Sequence, residues 1–261
     1  MFDPKLVQAQ ALRSECRSLN EKGNNMLNTI LFDLDGTLLP MDLDEFIQYY
    51  FKAITKTMAS SFDSKRLIHS IWNGTQAMLE NNGQKTNEDV FWDRMQQEYG
   101  QEIIHTKSDF ERFYQNEFQS IQHVCPKNEQ VAALIEQLKK ENLTLLIATN
   151  PIFPAIATFS RVRWAGLDPV DFKTITTYEN SHACKPNLLY YEELIKTYDL
   201  DPETCLMVGN NVEEDMIARQ CGMHVFLLTD HLLNPRNENI DQYPHGDIDA
   251  LLEYIKKLQS R

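Results

Sequence analysis

The chain has 261 residues, a formal net charge of −13 at pH 7 and 42% hydrophobic residues. This length suits one large α/β domain, or a core domain with a smaller companion. The negative charge argues against a nucleic-acid or membrane-surface binder, because such partners are bound by clustered lysines and arginines. An anionic small molecule would have to be bound by local positive charge, from a metal ion and one or two lysines.

Residues 1–25 are mostly polar, and we predict that they form an N-terminal extension; Met26 would serve equally well as the first residue. The charges in this stretch argue against a secretory signal, and no apolar run approaches the ~20 residues that span a bilayer. We therefore expect a cytoplasmic protein, monomeric or dimeric, that contacts neither membrane nor nucleic acid. The five cysteines are widely spaced without a C-x-x-C pair, which predicts free thiols.

Two aspartates follow the first apolar strand, in the sequence TILFDLDGTL at Thr29–Leu38. Residues 30–32 form an apolar run typical of a strand buried on both faces. Asp33 and Asp35 then follow at alternate positions, which points both side chains to one side of an extended segment, and Gly36 permits a sharp turn. Two close carboxylates require a cation such as Mg²⁺ or a basic partner. The same sequence also suits a simple acidic turn.

Residues 41–122 differ from the rest of the chain, since Pro and Gly are scarce, aromatic residues are frequent and apolar residues recur every three or four positions. This spacing predicts an all-helical insertion of four helices, the first of them capped by Asp42. Aromatic stripes of this kind are typical of core packing, so we assign no substrate contact to them.

After residue 122 the pattern alternates between helices and strands. Strands are predicted at 143–148, 173–178, 204–208 and 224–228, and helices at 131–138, 155–164, 187–198, 213–221 and 248–258. Such alternation indicates βαβ units, so we predict an α/β fold with a doubly wound, Rossmann-like parallel sheet. Residues 26–40 and 123–261 would form its core, and residues 41–122 the inserted helical domain.

Polar residues stand where later strands and loops end. Thr149 and Asn150 offer a hydroxyl and an amide suited to phosphate oxygens, although the pair also suits an ordinary turn before a proline. Lys185 could neutralise an oxyanion, although a lone surface lysine is usually solvated. Because parallel strands end at a common edge, where open α/β sheets bind ligands, we expect these groups to meet the aspartate pair there.

The segment GNNVEED at residues 209–215 follows another predicted strand and carries three acids. Gly209 permits close approach of a ligand, and acids at this place also suit the first turn of a helix. With the aspartate pair, Thr149 and Lys185, Asp215 completes a set of polar residues that arrive in chain order at the ends of parallel strands. Such a set is much less probable by chance than the presence of any one of these residues alone.

The four motifs DLDGT, TN, KP and GNNVEED resemble, in this order, those of the haloacid dehalogenase (HAD) superfamily of hydrolases. The insertion directly after the first motif resembles the all-helical C1 cap of the phosphoglycolate-phosphatase-like subfamily. The resemblance covers roughly residues 29–230. It implies a HAD-like core, a Mg²⁺ cofactor and a phosphatase that acts on a small phosphorylated metabolite, without indicating which one.

The resemblance also implies roles for the matching residues. Asp33 would attack phosphorus and form an aspartyl-phosphate. Asp35 would protonate the leaving oxygen and then activate water, while its backbone carbonyl binds Mg²⁺. Thr149 and Asn150 would hold the phosphoryl group, with Gly36 beside them. Because dehalogenating relatives lack a carboxylate at the position of Asp35, phosphoryl transfer is favoured.

The implied metal ligands are Asp33, Asp35, Asn210 and Asp215, and Lys185 would balance the charge. Position 210 departs from the superfamily pattern, which usually has an aspartate there as a direct ligand. An amide oxygen still binds Mg²⁺ but carries no charge, so we expect activity with a higher metal requirement. Glu214 is an alternative ligand, although its neighbour Asp215 better fits the superfamily spacing.

Three other functions fit the motifs. The neutral residue at position 210 is compatible with a catalytically weak binding or regulatory protein, and sugar phosphomutases share the core motifs. Phosphonate-cleaving relatives need a cap lysine, for which the insertion offers Lys52, Lys56 and Lys65 without distinguishing one of them.

Three further polar residues are assigned no role in the reaction. His182 lies near the lysine motif, but a lone histidine is more often structural than functional. Arg161 and Arg163 could equally be solvated charges on the helix predicted at 155–164.

Overall fold

A six-stranded parallel sheet forms the centre of the computed structural model, which describes residues 26–260. Its strands are β1 (Thr29–Phe32), β2 (Thr144–Ile147), β3 (Thr174–Ile175), β4 (Cys205–Gly209), β5 (His224–Leu228) and β6 (His245–Gly246). They lie in the order β3-β2-β1-β4-β5-β6, and every neighbouring pair is parallel. β1 and β4 are buried along their whole length, which is why apolar runs mark them in the sequence. The predicted α/β fold with a Rossmann-like parallel sheet is confirmed.

Helices surround this sheet and fill the long connection between β1 and β2. The α-helices are α1 (Leu43–Thr57), α2 (Ser64–Leu79), α3 (Asn87–Tyr99), α4 (Lys107–Gln115), α5 (Glu129–Lys140), α6 (Ala155–Trp164), α7 (Leu188–Tyr198) and α8 (Ile248–Gln259). Shorter 3-10 segments lie at Gln101–Thr106, Glu117–Val124, Pro169–Asp171, Pro202–Thr204, Met216–Cys221 and Ile240–Gln242. The predicted N-cap of the first helix is confirmed, since the Asp42 carboxylate accepts a hydrogen bond from the backbone N–H of Glu45.

The structure corrects the prediction in three places. The last helix of the insertion is split, because α4 ends at Gln115 and a 3-10 segment begins at Glu117. The helix predicted at 213–221 is a turn followed by a 3-10 segment, since the Asn211 side chain accepts the backbone N–H groups of residues 213 and 214 and competes with helical hydrogen bonding. The strand β6 was not predicted, because two residues are too few to form a pattern.

The strand register brings the polar strand ends to one edge. Phe32, the last residue of β1, is paired with Ile147 of β2 and with Val208 of β4. The hydrogen bonds continue one residue further, from the Asp33 N–H to the Val208 carbonyl at 2.9 Å and from the Ala148 N–H to the Phe32 carbonyl at 2.7 Å. The residues that follow β1, β2 and β4 therefore emerge side by side.

Helices α1 to α4, with the 3-10 segments after α3 and α4, form a layer that we call the inserted helices. Their apolar side chains join those of β1 and β2 in one hydrophobic cluster. The buried Asn87 at the start of α3 bonds to loops of the sheet, because its side-chain amide donates to the Pro151 carbonyl at 3.1 Å and its backbone N–H donates to the Ser181 carbonyl at 2.8 Å. The exact extents of core and inserted domain stay a prediction.

The remaining expectations concern the cysteines, the membrane and the N-terminal segment. Cys125, Cys184 and Cys205 are buried free thiols and Cys221 is a half-buried one, as predicted, whereas Cys16 lies outside the described residues. Within residues 26–260, no helix is both long and apolar enough to cross a bilayer. The extension predicted over residues 1–25 also lies outside the described part.

Candidate active site

A buried lysine links two aspartates at the carboxyl edge of the sheet. The Lys185 ammonium donates to Asp33 Oδ1 at 2.8 Å and to Asp215 Oδ1 at 2.7 Å. Lys185 is 1% exposed and Asp215 is fully buried. The lysine precedes α7, whose N-cap Asn187 accepts the Leu189 N–H and so begins the helix directly after the loop. Three charged residues that are far apart in the sequence therefore meet in one buried cluster.

The charges of this cluster stabilise one another. Burial by itself would lower the pKa of Lys185, but Asp215 and Asp33 raise it well above its ordinary value, so the ammonium stays protonated. Burial raises the pKa of Asp215 to about 7, against the opposite effect of the Lys185 charge. The second oxygen of Asp215 accepts the Asn211 N–H at 2.9 Å. Both oxygens of Asp215 are thus engaged by the protein.

The side chain of Asn210 is oriented toward Asp33. Its amide nitrogen donates to the His231 carbonyl at 2.6 Å, which turns the amide oxygen the other way. The Thr37 hydroxyl lies 3.2 Å from that oxygen and 3.2 Å from Asp33 Oδ2. Gly36 has a φ of 79° and packs so closely on Asn210 that a Cβ at this position would overlap the amide.

Asp35 is held by an arginine from the helix α6. One oxygen of the Asp35 carboxylate accepts a hydrogen bond from Arg161, whose guanidinium also lies 4.5 Å from the centre of the Phe153 ring. The other oxygen, Oδ1, is buried without a partner. Burial raises the pKa of Asp35, while Arg161 lowers it. One oxygen is therefore fixed, and the other is left for a ligand.

Thr149 and Asn150 follow β2 and face the same space. The Thr149 carbonyl accepts hydrogen bonds from the hydroxyls of Thr176 at 2.7 Å and Tyr190 at 3.0 Å, which fix the backbone. The Asn150 amide donates to the Lys185 carbonyl at 3.3 Å and to Glu214 Oε2 at 3.2 Å, and its Oδ1 is buried without a partner.

These side chains surround a cavity of about 180 Å³, which we call the polar cavity. Its walls combine the strand ends with residues from neighbouring loops and from the start of α1: Asp33, Asp35, Gly36, Met41, Leu43, Thr149, Asn150, Ile152, Asn210, Asn211, Glu214, His231 and Leu233. Lys185 and Asp215 lie behind this wall, where Lys185 donates to Asp33 from the protein side and Asp215 accepts from Lys185. The arrangement presents one carboxylate that is held by a cation beside a second carboxylate with a free oxygen.

A model of the haloacid dehalogenase-like hydrolase family matches residues 27–222. The chain belongs to this family. The matched region contains every residue of the polar cavity except His231 and Leu233. A search of curated proteins found no match.

Solved structures share the HAD fold at low sequence identity. A predicted phosphoglycolate phosphatase from Haemophilus somnus is 20% identical with a TM-score of 0.52, over 88% of this chain and 98% of that chain. A magnesium-bound putative HAD hydrolase from Bacillus subtilis is 20% identical with a TM-score of 0.51, over 89% and 99%. A 2-haloacid dehalogenase from Pseudomonas syringae is 19% identical with a TM-score of 0.58, over 89% and 99%. At these identities the likeness establishes the fold alone.

The donor set of the HAD site fits a hard divalent cation. Three acids on the cavity wall, Asp33, Asp35 and Glu214, and Asp215 behind it face two buried cations, Lys185 and Arg161, in the described part of the chain. Asp33, the Asp35 carbonyl and the oriented Asn210 amide supply oxygen atoms, the ligands that Mg²⁺ prefers. Within residues 26–260, no group of three His, Cys, Asp or Glu side chains suits a metal, so such a site would need amide and carbonyl oxygens.

The sequence did not indicate two residues that the structure places beside the aspartates. Arg161 is fully buried and bonded to Asp35, so its interpretation as a solvated helix charge was wrong, whereas Arg163 is exposed as that interpretation expects. The signal for burial was the apolar character of α6 around most of its circumference. Thr37 lies inside the DGT motif, where its hydroxyl contacts were not foreseen. His182 bonds Glu193 at 2.6 Å, in keeping with a structural role.

Proposed function

We propose that this protein is a Mg²⁺-dependent phosphatase that hydrolyses a small phosphorylated metabolite through an aspartyl-phosphate on Asp33. The observation that carries this proposal is the buried Lys185 ammonium, bonded at once to Asp33 and Asp215. It holds the Asp33 carboxylate in one orientation at the end of a rigid strand, where Asp33 lines the polar cavity. A carboxylate that is oriented in this way beside a cation suits nucleophilic attack on phosphorus.

In the first step, Asp33 forms a bond to phosphorus while the ester oxygen leaves. Asp35 gives its proton to that oxygen, a role favoured by the burial that raises its pKa. Arg161 holds the other carboxylate oxygen and fixes the direction of transfer. The Thr149 hydroxyl, with Asn150 beside it, holds the phosphoryl group.

In the second step, Asp35 accepts a proton from water, which attacks phosphorus and breaks its bond to Asp33. Inorganic phosphate is released and both carboxylates return to their starting state. Mg²⁺, held by Asp33, the Asp35 carbonyl and Asn210, with Asp215 or Glu214 in support, would neutralise the phosphoryl charge. The inserted helices would act as a cap that keeps bulk water from the phosphoenzyme.

The test is hydrolysis of p-nitrophenyl phosphate over a Mg²⁺ titration. We expect phosphate release in step with substrate consumption, and a loss of about 1,000-fold or more in Asp33→Asn. Asp249→Asn, an exposed carboxylate at the start of α8, is the matched control and should retain full activity. No turnover above the Asp33→Asn level at high Mg²⁺ would overturn the proposal. With a sugar phosphate as substrate, rearranged product without free phosphate would favour a mutase.

A further inference from the structure

A second cavity adjoins the polar cavity and is walled mainly by aromatic and aliphatic side chains. It measures about 280 Å³, and we call it the apolar cavity. Rings from all four of the inserted helices line it, among them Tyr50, Trp72, Trp92 and Tyr114. Asp35, together with Asn150 and Glu214, lines both cavities. Asp35, the proposed proton donor, therefore lies where the two cavities meet. From there the apolar cavity extends away from the place where the phosphorus would bind.

The apolar cavity lacks a cation to receive a negatively charged group. Its lining residues, all within residues 26–260, include no lysine, arginine or histidine, and its charged members are the acids Asp35 and Glu214. Arg161 lies behind Phe153, and its charge is already paired with Asp35. A leaving group with a carboxylate or a second phosphate would lose its hydration here without gaining a partner.

The hydroxyl groups of this cavity are largely engaged. The phenols of Tyr50 and Tyr114 bond each other at 3.0 Å, and the Thr75 hydroxyl donates to the Ile71 carbonyl at 3.0 Å. Burial raises the pKa of Tyr50 to about 12 and that of Tyr114 well above its ordinary value, so both phenols are neutral at physiological pH. A sugar with several hydroxyls would therefore find few partners beyond the Asp35 and Asn150 oxygens at the boundary with the polar cavity.

The entrance to the apolar cavity is also hydrophobic. Leu43, Trp72 and Leu79 line it and are 45%, 47% and 38% exposed, which makes them three of the seven large hydrophobic residues that are exposed among the described residues. Clustered apolar exposure of this kind marks binding grooves on soluble proteins. Helices that served only as a structural layer would turn these side chains inward.

We propose that the substrate is a phosphate monoester of an uncharged, apolar alcohol, whose ring-sized hydrocarbon part occupies the apolar cavity while its phosphate lies at Asp33. This inference rests on the proposed phosphatase activity and adds the class of leaving group. The cavity has the necessary size, since a cavity of about 150 Å³ lined by Leu, Ile and Phe accommodates benzene. The aromatic residues of the inserted helices then contact substrate, contrary to the assignment made from their spacing alone.

The first test compares esters that have equally poor leaving groups. 2-Phenylethyl phosphate carries an apolar ring, whereas glycerol 3-phosphate and phosphoglycolate carry hydroxyl and carboxylate groups. We expect kcat/KM for 2-phenylethyl phosphate to exceed the other two by about 10-fold or more, the discrimination that apolar pockets achieve. Equal values, or a preference for either polar ester, would overturn the inference.

The second test fills the apolar cavity. Thr75→Phe places a ring in it from α2, whereas Gln76→Phe places the same ring on the exposed face of that helix and is the matched control. We expect Thr75→Phe to reduce kcat/KM for 2-phenylethyl phosphate about 10-fold relative to kcat/KM for acetyl phosphate, which has no ring. The ratio should not change in Gln76→Phe. An unchanged ratio in Thr75→Phe would contradict the assignment.

A binding measurement separates the two proposals. Trp72 and Trp92 line the apolar cavity, so titration with 2-phenylethanol should change the tryptophan fluorescence of the wild type and of Gln76→Phe but not of Thr75→Phe. Hydrolysis of acetyl phosphate without a preference for the phenylethyl ester would retain the proposed function and reject the leaving-group class. Hydrolysis of no ester would reject both.

Discussion

The polar and apolar cavities share a boundary at Asp35 but are built in opposite ways. The polar cavity takes its chemistry from single residues at the ends of β1, β2 and β4, and nearly every charge there has a buried partner. The apolar cavity is lined by many uncharged aromatic rings from the inserted helices. From this contrast we infer that residues at the edge of the rigid sheet carry out the reaction, whereas the inserted helices determine which alcohol is accepted as the leaving group. Three substitutions test it at sites of decreasing expected effect.

The strongest effect is expected from removal of the buried ammonium. Lys185→Met leaves Asp33 and Asp215 buried without their cation, which should lower the free energy of unfolding by about 3–5 kcal/mol. Urea denaturation measures this loss. Lys196→Met, an exposed position on α7, is the matched control and should be near neutral. A stability close to that of the wild type would mean that the cluster is not tightly coupled.

The next effect concerns Arg161, which touches both regions through Asp35 and Phe153. Arg161→Met should reduce kcat by about 100-fold with little change in KM, because the proton donor loses its fixed orientation. Since Arg161 lowers the pKa of Asp35, its removal should also shift the alkaline limb of the pH profile to higher pH.

One control variant and one contrary outcome test this role of Arg161. Arg163→Met changes an exposed arginine on the same helix and should leave both kcat and the pH profile unchanged. If Arg161→Met lost stability but kept the pH profile of the wild type, the arginine would be structural alone.

The smallest effect is expected at Asn210, where a charge can be added to the polar cavity. Asn210→Asp should lower the Mg²⁺ concentration for half-maximal activity about 10-fold, because a carboxylate binds Mg²⁺ more strongly than a neutral amide. Calorimetric titration with Mg²⁺ checks the same shift without turnover. Asn239→Asp, at an exposed N-cap, should change neither value. An unchanged metal requirement in Asn210→Asp would place the metal away from this side chain.

The sequence predicted the sheet better than the detailed contacts around it. Buried strands leave apolar runs, and the chain order of the strand-end motifs follows from their topology, so Asp33, Thr149 and Lys185 could be placed at one edge. Arg161 could not, because the spacing of charges on α6 does not show which arginine faces a buried carboxylate. The apolar cavity was equally hidden, since rings that line a space and rings that fill it have the same periodicity.

Gly209 ends β4 directly against the Asp215 carboxylate, and a Cβ at this position would overlap that side chain. Asp215 therefore occupies the space that the Cβ of any other amino acid at position 209 would need. A single added methyl group would push the carboxylate away from Lys185 and, through it, disturb Asp33. The geometry of this buried cluster thus depends on the absent side chain at position 209 as much as on the acids themselves.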